Sequence, residues 1–434
     1  MKNRMLISGT ALAVLLASPL AAHAQSAKVD AGDTAFVLIS AALVMLMTPG
    51  LAMFYGGMVR RKNVLGTLMH SFVALAVVSV QWVLFGYSLA FGPDIKGIIG
   101  GLDWIGLSGV GVFPNPDYAP TVPHLAFMIY QAMFAVITPA LISGAIAERM
   151  KFSAYLLFIL LWTTLVYDPV AHWVWGTGGW LKGLGALDFA GGVVVHITSG
   201  ISALAAALFM GKRKNYLREH MPPHNLPMTV LGAGLLWFGW FGFNAGSALA
   251  SGGLSTIAFV TTHTAAVSAT LIWVIIEWLH RGKPTMFGAA TGSIAGLATI
   301  TPAAGFVGPM SALVIGLCAG AFCYVSLNLK GKFGYDDSLD AFGVHGVGGI
   351  IGTLGAGLLA SKLINSAGAD GLFFGNAHQL VVQGIAIAAT ACYAFAVTLV
   401  LLALVNKVTG LRLSEEDEIM GLDISQHEES GYTL

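Results

Sequence analysis

Two histidines lie in apolar, glycine-rich stretches of similar design. DFAGGVVVHITSG carries Asp188 and His196, and DAFGVHGVGGIIG carries Asp340 and His345. An ionisable ring inside a membrane span is costly, which makes such a histidine a functional candidate by default. His196 sits about 12 Å into its helix at 1.5 Å per residue. Gly192, Ser199 and Gly200 share its face, as Gly349 and Gly352 share that of His345. Two imidazoles flanked by glycine are expected to line a narrow, partly polar path. An acid at each helix start, Asp188 and Asp340, suits the positive end of a helix dipole. Asp336 and Asp337 read as solvated or capping loop residues. His70, His172, His263 and His378 have no matching partner and read as structural. No third ligand stands at a metal-site spacing, and no nucleophile–base pair suggests an enzyme.

Aromatic residues gather near the ends of other apolar runs. Tyr130 and Phe134 lie in YQAMFAVIT; Trp240, Phe241, Phe243 and Ser247 in GWFGFNAGSA; Trp173, Trp175 and Trp180 in AHWVWGTGGW. An interfacial belt is one use for such rings and suits Trp173 and Trp180. A cation site built from aromatic faces, with no buried countercharge, is the other. Spacing alone does not separate the two.

The elements that must position these residues follow from composition. Of 434 residues 56% are hydrophobic and 10% charged, against about 25% charged in soluble domains. The expectation is an all-α integral membrane protein. A span needs about 20 apolar residues, and eleven segments qualify: 35–57, 64–91, 123–147, 152–171, 189–210, 227–250, 254–280, 287–304, 307–329, 341–361 and 378–405. The eighth is the weakest, being short and carrying Pro302. Lys and Arg follow the odd-numbered spans (Arg60, Arg61, Lys62; Arg149, Lys151; Lys212, Arg213, Lys214, Arg218; Arg281, Lys283; Lys330, Lys332; Lys407, Arg412), and only Lys28, Lys96, Lys182 and Lys362 fall on the other side. The positive-inside rule then places the N-terminus outside and the C-terminus in the cytoplasm. Residues 1–24, with Lys2, Arg4, an apolar run and Ala22-His23-Ala24, have the grammar of a cleavable signal peptide.

The two histidine segments lie five spans apart and so cross in opposite directions. An inverted repeat would produce this, with repeat one at about 34–210, repeat two at about 227–361 and an extra helix at about 378–405. The membrane domain covers 25–406 and a polar tail 407–434. Zero net charge provides no basic footprint for nucleic acid. Cys318, Cys323 and Cys392, all in apolar runs, read as small core residues.

The chain resembles the ammonium transporter family, which includes the Rhesus glycoproteins, over almost its whole mature length. DFAGGVVVHI, GWFGFNAGSA, AERMKF and DAFGVHGVGG carry the likeness, and Trp175 matches the microbial branch better. The resemblance implies a homotrimer of eleven-helix protomers in a bacterial inner membrane, each with its own pore and no cofactor. It implies that Trp175, Phe134 and Ser247 form an outer ammonium-recruitment site supported by Asp188, with Tyr130 at a variable position beside it. Phe134 and Phe243 would form a gate, and His196, His345 and Trp240 would line the pore. Its substrates would be ammonium or ammonia, with methylammonium as a candidate analogue. The similar tail, with Arg412, Glu416 and Asp423, implies contact with neighbouring protomers and docking of a PII-type signal protein; a solvated, flexible tail is the alternative. The expected mechanism removes a proton, conducts neutral ammonia and relays the proton through the histidine pair. The alternatives are an ammonium sensor and a neutral ammonia or carbon dioxide channel. About 28 residues follow the last span, short of the added signalling domain that many sensors carry.

Overall fold

In lipid every backbone polar group must find its partner within the protein, and long apolar segments meet that demand as helices. The computed structural model describes residues 28–433, so the expected signal peptide lies outside the described residues. Among the described residues ten helices are long and apolar enough to cross a membrane. In chain order, with one shorter helix included, they are α1 (Ala31–Met58), α2 (Arg61–Phe91), α3 (His124–Ile146), α4 (Phe152–Leu184), α5 (Gly192–Met210), α6 (Leu226–Ala248), α7 (Gly253–Arg281), α8 (Met286–Ile300), α9 (Pro309–Phe333), α10 (Phe342–Leu359) and α11 (Ala377–Thr409). Two short antiparallel hairpins, within 94–100 and 114–123, fold over the end between α2 and α3.

The eighth expected span is the shorter α8, of 15 residues. Pro302 has no N–H with which to extend the ladder, and the chain turns through 301–307 before α9.

Small residues set how closely the helices cross. A Cβ on Gly232 of α6 would overlap the Phe54 backbone of α1, and one on Gly200 of α5 would overlap the Gly346 backbone of α10. The second contact lies one turn after His196 and immediately after His345. Gly192 similarly faces Pro302, Gly352 faces Thr299, and Gly349 abuts His196. These glycines therefore serve helix crossings beside the two imidazoles.

Both histidines lie on π-helical turns, Gly192–Ile197 and Phe342–Gly346. Such turns cluster at functional sites because they re-aim a side chain. The Asp188 carboxylate accepts from the N–H groups of Gly191, Gly192, Val193 and Val194 at 2.6–3.0 Å. At the start of α10 that duty falls to Asp337, which accepts from Ala341 N (3.1 Å) and Phe342 N (2.8 Å). Asp340, the expected counterpart, instead pairs with Lys330. Asp336 and Asp337 are both buried, not solvated, and Asp337 takes the capping role that was its other expected reading. The sequence match aligned the wrong acid because the loop before α10 is rich in Asp.

At the same end of the bundle Arg213 joins Glu148 and Asp336, each at 2.9 Å, and Arg60 reaches Glu148 at 3.0 Å. Burial alone would raise the Glu148 carboxyl, but Arg213 and Arg60 hold it below the usual carboxylate range. The tail folds onto this face. Arg412 donates to the carbonyls of Met210 and Lys212 and to Glu418. Asp423 accepts from Gly66 N at 2.9 Å, and Asn63 bridges Glu148 to Leu422 N. The tail is thus packed against its own bundle through two short helices, α12 (Glu415–Met420) and α13 (Leu422–His427). Of its expected residues, Glu416 is exposed; the buried glutamate is Glu418.

Candidate functional site

From the end opposite the tail, a vestibule of about 220 Å³ enters the bundle. Trp175, Gln131, Ser247, Tyr118 and Phe127 line it, with Asp117 and Lys182 also present. Trp175 closes the helical segment Asp168–Trp175 within α4, where Gly176 interrupts the ladder, and its Nε1 donates to the Asp188 carbonyl at 2.9 Å. That bond fixes the indole while the Asp188 carboxylate is turned to the start of α5. Ser247 lies where α6 tightens into a final short turn, and its hydroxyl donates to the Phe243 carbonyl at 2.9 Å. Tyr130 is fully buried behind it, 3.2 Å from Ser247 Oγ and within reach of the carbonyls of Gly242 and Phe243 at 2.9 and 2.8 Å. Tyr130 therefore holds the end of α6 instead of facing the vestibule.

Two phenyl rings stand between the vestibule and the histidines. Phe134 and Phe243 stack with centroids 4.2 Å apart. Phe134 meets Trp175 edge-on at 5.9 Å, and Phe243 lies 6.1 Å from the His196 ring. Beyond them is a chamber of about 10 Å³, room for the centre of one water-sized molecule. His196, His345, Trp240 and Phe243 line it with Met47, Leu51, Phe54, Ile137, Leu141, Val195, Leu236 and Ile294; no Lys, Arg, Asp or Glu does. The imidazoles are nearly parallel, with centroids 5.2 Å apart and planes at 18°. Both are buried, and the Nδ1 atom of each lacks a hydrogen-bond partner. His345 also lines a second small cavity, with Tyr55, Val344 and Asp340, on the way to the tail face.

The expected residues are thus brought onto one line: Trp175 and Ser247 at the vestibule, Phe134 and Phe243 beneath, and His196, His345 and Trp240 at the centre. Two residues on that line escaped the sequence reading. Gln131 lines the vestibule with a buried, unpartnered Oε1; its place one turn before Phe134 could have marked it. Thr301 takes a bond from Trp240 Nε1 at 3.0 Å and lies 3.3 Å from His196 Nε2. It sits after α8, where no motif drew attention. The histidines read as structural behave so where contacts are seen. His172 bridges the Ala90 carbonyl and Asp94, and His70 is buried against Tyr155.

A helical bundle with an aromatic vestibule over an apolar, histidine-lined chamber is the architecture of a multi-pass membrane protein. The chain belongs to the ammonium transporter family, whose model matches residues 35–432. An ammonium transporter of Bacillus subtilis is 56% identical, over 92% of this chain and 98% of the relative. Ammonium transporter Amt1 of Archaeoglobus fulgidus is 51% identical, over 93% and 99%. The crystal structure of Saccharomyces cerevisiae Mep2 superposes with a TM-score of 0.84 at 38% identity, covering 90% of this chain and 89% of that one. A structure described as a sensor Amt protein matches with a TM-score of 0.84 at 30% identity, over 91% and 98%.

Proposed function

We propose that this protein carries ammonium across a bacterial inner membrane by moving ammonia and its proton separately. The observation that carries the reading is the His196–His345 contact in a chamber with no charged wall. A bare cation in such a chamber would meet a large desolvation cost. Ammonium escapes that cost by giving up a proton, which potassium cannot do. Trp175 and Ser247 would hold the cation by its attraction to the indole face and a hydrogen bond, about 1–3 kcal/mol together. Asp188 supports that site by fixing the start of α5. The Phe134–Phe243 stack gates the floor, ammonia crosses the apolar chamber, and the histidine pair relays the proton as a coupled unit. In this reading α8 and the turn after it complete an eleventh crossing. The N-terminus lies outside, after removal of residues 1–24, and the tail is cytoplasmic. Spans one to five and six to ten form inverted repeats, with α11 as the extra helix. Three protomers assemble, and a PII-type protein docks on the tail face.

The test is current from the full chain in liposomes after an ammonium jump, with potassium as control and a His196/His345 double replacement by apolar residues alongside. An ammonium-specific current lost in the double variant supports the relay. A current unchanged in that variant overturns it. The likeness to a sensor protein gives the second reading. Ammonium binding without current or uptake would favour a sensor, and uptake without current a neutral-gas channel.

A further inference from the structure

Thr301 sits at the end of α8 with its hydroxyl oxygen at the centre of three contacts. It donates to the Leu297 carbonyl at 2.8 Å, receives Trp240 Nε1–H at 3.0 Å and lies 3.3 Å from His196 Nε2. A threonine hydroxyl has one proton and two lone pairs. The short bond to Leu297, one turn back on its own helix, takes the proton. An indole N–H can only donate, so Trp240 takes one lone pair. The second lone pair can satisfy His196 only if Nε2 itself bears hydrogen. All three capacities of the hydroxyl are then used. Thr301 is fully buried, so no bulk water competes for these positions.

The placement is built into the fold. The Phe189 N–H donates to the carbonyl of Pro302, the next residue after Thr301, at 3.1 Å, and Gly192 admits the Pro302 ring against the start of α5. The end of α8 and the π turn bearing His196 are thereby held together.

We propose that Thr301 is a positioning residue that fixes His196 as the Nε2–H tautomer. The consequence falls on the pair. His196 then presents a bare Nδ1, one of the two buried Nδ1 atoms without a partner. His345 is the other histidine in the chamber lining. Its own Nδ1 likewise has no partner. The pair is thus asymmetric before any substrate arrives, because Thr301 bonds to the His196 ring and not to that of His345. His345 also lines the cavity leading to the tail face. This rests on the reading of the two histidines as the proton-handling unit, but the tautomer can be tested without transport.

The experiment is solid-state 15N spectroscopy of the full chain, histidine-labelled and reconstituted in liposomes. The pore signals are identified by their loss in His196→Gln and His345→Gln. The wild type and Thr301→Ser should show His196 protonated at Nε2 and bare at Nδ1. Thr301→Val keeps the shape and removes the hydroxyl, so the His196 signals should redistribute to both tautomers. Ammonium flux in Thr301→Val should fall about tenfold, one hydrogen bond's worth, and return in Thr301→Ser. A wild type already protonated at His196 Nδ1, or an unchanged His196 tautomer in Thr301→Val, overturns the proposal. If no variant carries ammonium, including the wild type, the transport reading fails while the spectra still decide the role of Thr301.

Discussion

Asp188 and Asp337 occupy equivalent places: each lies eight residues before a chamber histidine, His196 or His345, and each carboxylate accepts free N–H groups at the start of a π-turned helix. The first accepts four bonds and the second two. Opposite helix directions with a common cap are what an inverted repeat would leave behind. The difference in bond number makes a test. Loss of a helix cap costs about 0.5–2 kcal/mol, and bonds to a charged acceptor fall in the stronger class. Asp188→Ala should therefore lower the melting temperature more than Asp337→Ala. Asp340→Ala, which loses only a partly exposed ion pair, should lower it least. Melting of the purified protein in detergent gives the order; a larger loss at Asp340 would contradict this account of the caps.

The same pair shows where sequence reading stopped. His196, His345, Trp240, Phe134, Phe243, Ser247 and Trp175 were legible because apolar runs, glycine spacing and long motifs surround them. The helical membrane class was legible because so few charges cannot cover a soluble surface. Asp337, read only as solvated or capping, was passed over for Asp340 as the partner of Asp188 because three acids crowd the loop before α10 and hydropathy does not distinguish which one turns inward. Thr301 was missed because its role depends on α8 meeting α5, a contact between segments far apart in the chain. The docked tail was hidden for a similar reason. Its acids look solvated until Arg412 and Gly66 are seen to face them.

Phe243 should matter more than Phe134. Its ring lies against Phe134, His196 and Trp240, whereas Phe134 meets Phe243, Trp175 and Tyr130. Truncating a buried phenylalanine costs about 3–5 kcal/mol and leaves a cavity. In Phe243→Ala that cavity opens beside His196, so both stability and ammonium flux should fall. In Phe134→Ala it opens at the vestibule floor and flux should fall less. Stability and liposome flux measured on both variants decide; a greater flux loss in Phe134→Ala would reverse the order.

Acid should loosen the tail face. Glu148 is buried, and Arg213 and Arg60 hold its carboxyl below the ordinary value of 4.5 despite that burial. A depressed folded-state value contributes stability that is present above the unfolded value and lost as pH falls through the folded one. The contribution of Glu148 should therefore be constant from pH 8 to about 5.5 and decline below about pH 4.5. Glu148→Gln should be less stable at neutral pH by about 3 kcal/mol, because the buried Arg213 loses one of its two carboxylates. Its melting temperature should also depend less on pH in the acid range. Parallel pH curves for wild type and variant would exclude Glu148 as the source.

The tail should be released by changes on either side of its contact. Glu418 accepts from Arg412 and from Lys214 N, and Asp423 accepts from Gly66 N. A Cβ on Gly66 would sit 2.7 Å from Leu422 Cβ, closer than packed carbons approach. Gly66→Leu, Glu418→Ala and Asp423→Ala should each expose the chain after Thr409 to protease, since cleavage follows the population of the open form when opening is fast. Glu416→Ala, at an exposed position, should behave as wild type and serves as the control. The readout is the rate at which a C-terminal tag is removed from the reconstituted protein. Because the tail lies on the face where α2, α5 and α10 begin or end, its release would also alter access to the cavity lined by His345 and Asp340. Flux should therefore change in the three release variants together and not in Glu416→Ala. Faster tag removal with flux unchanged in all four would confine the tail to a structural role.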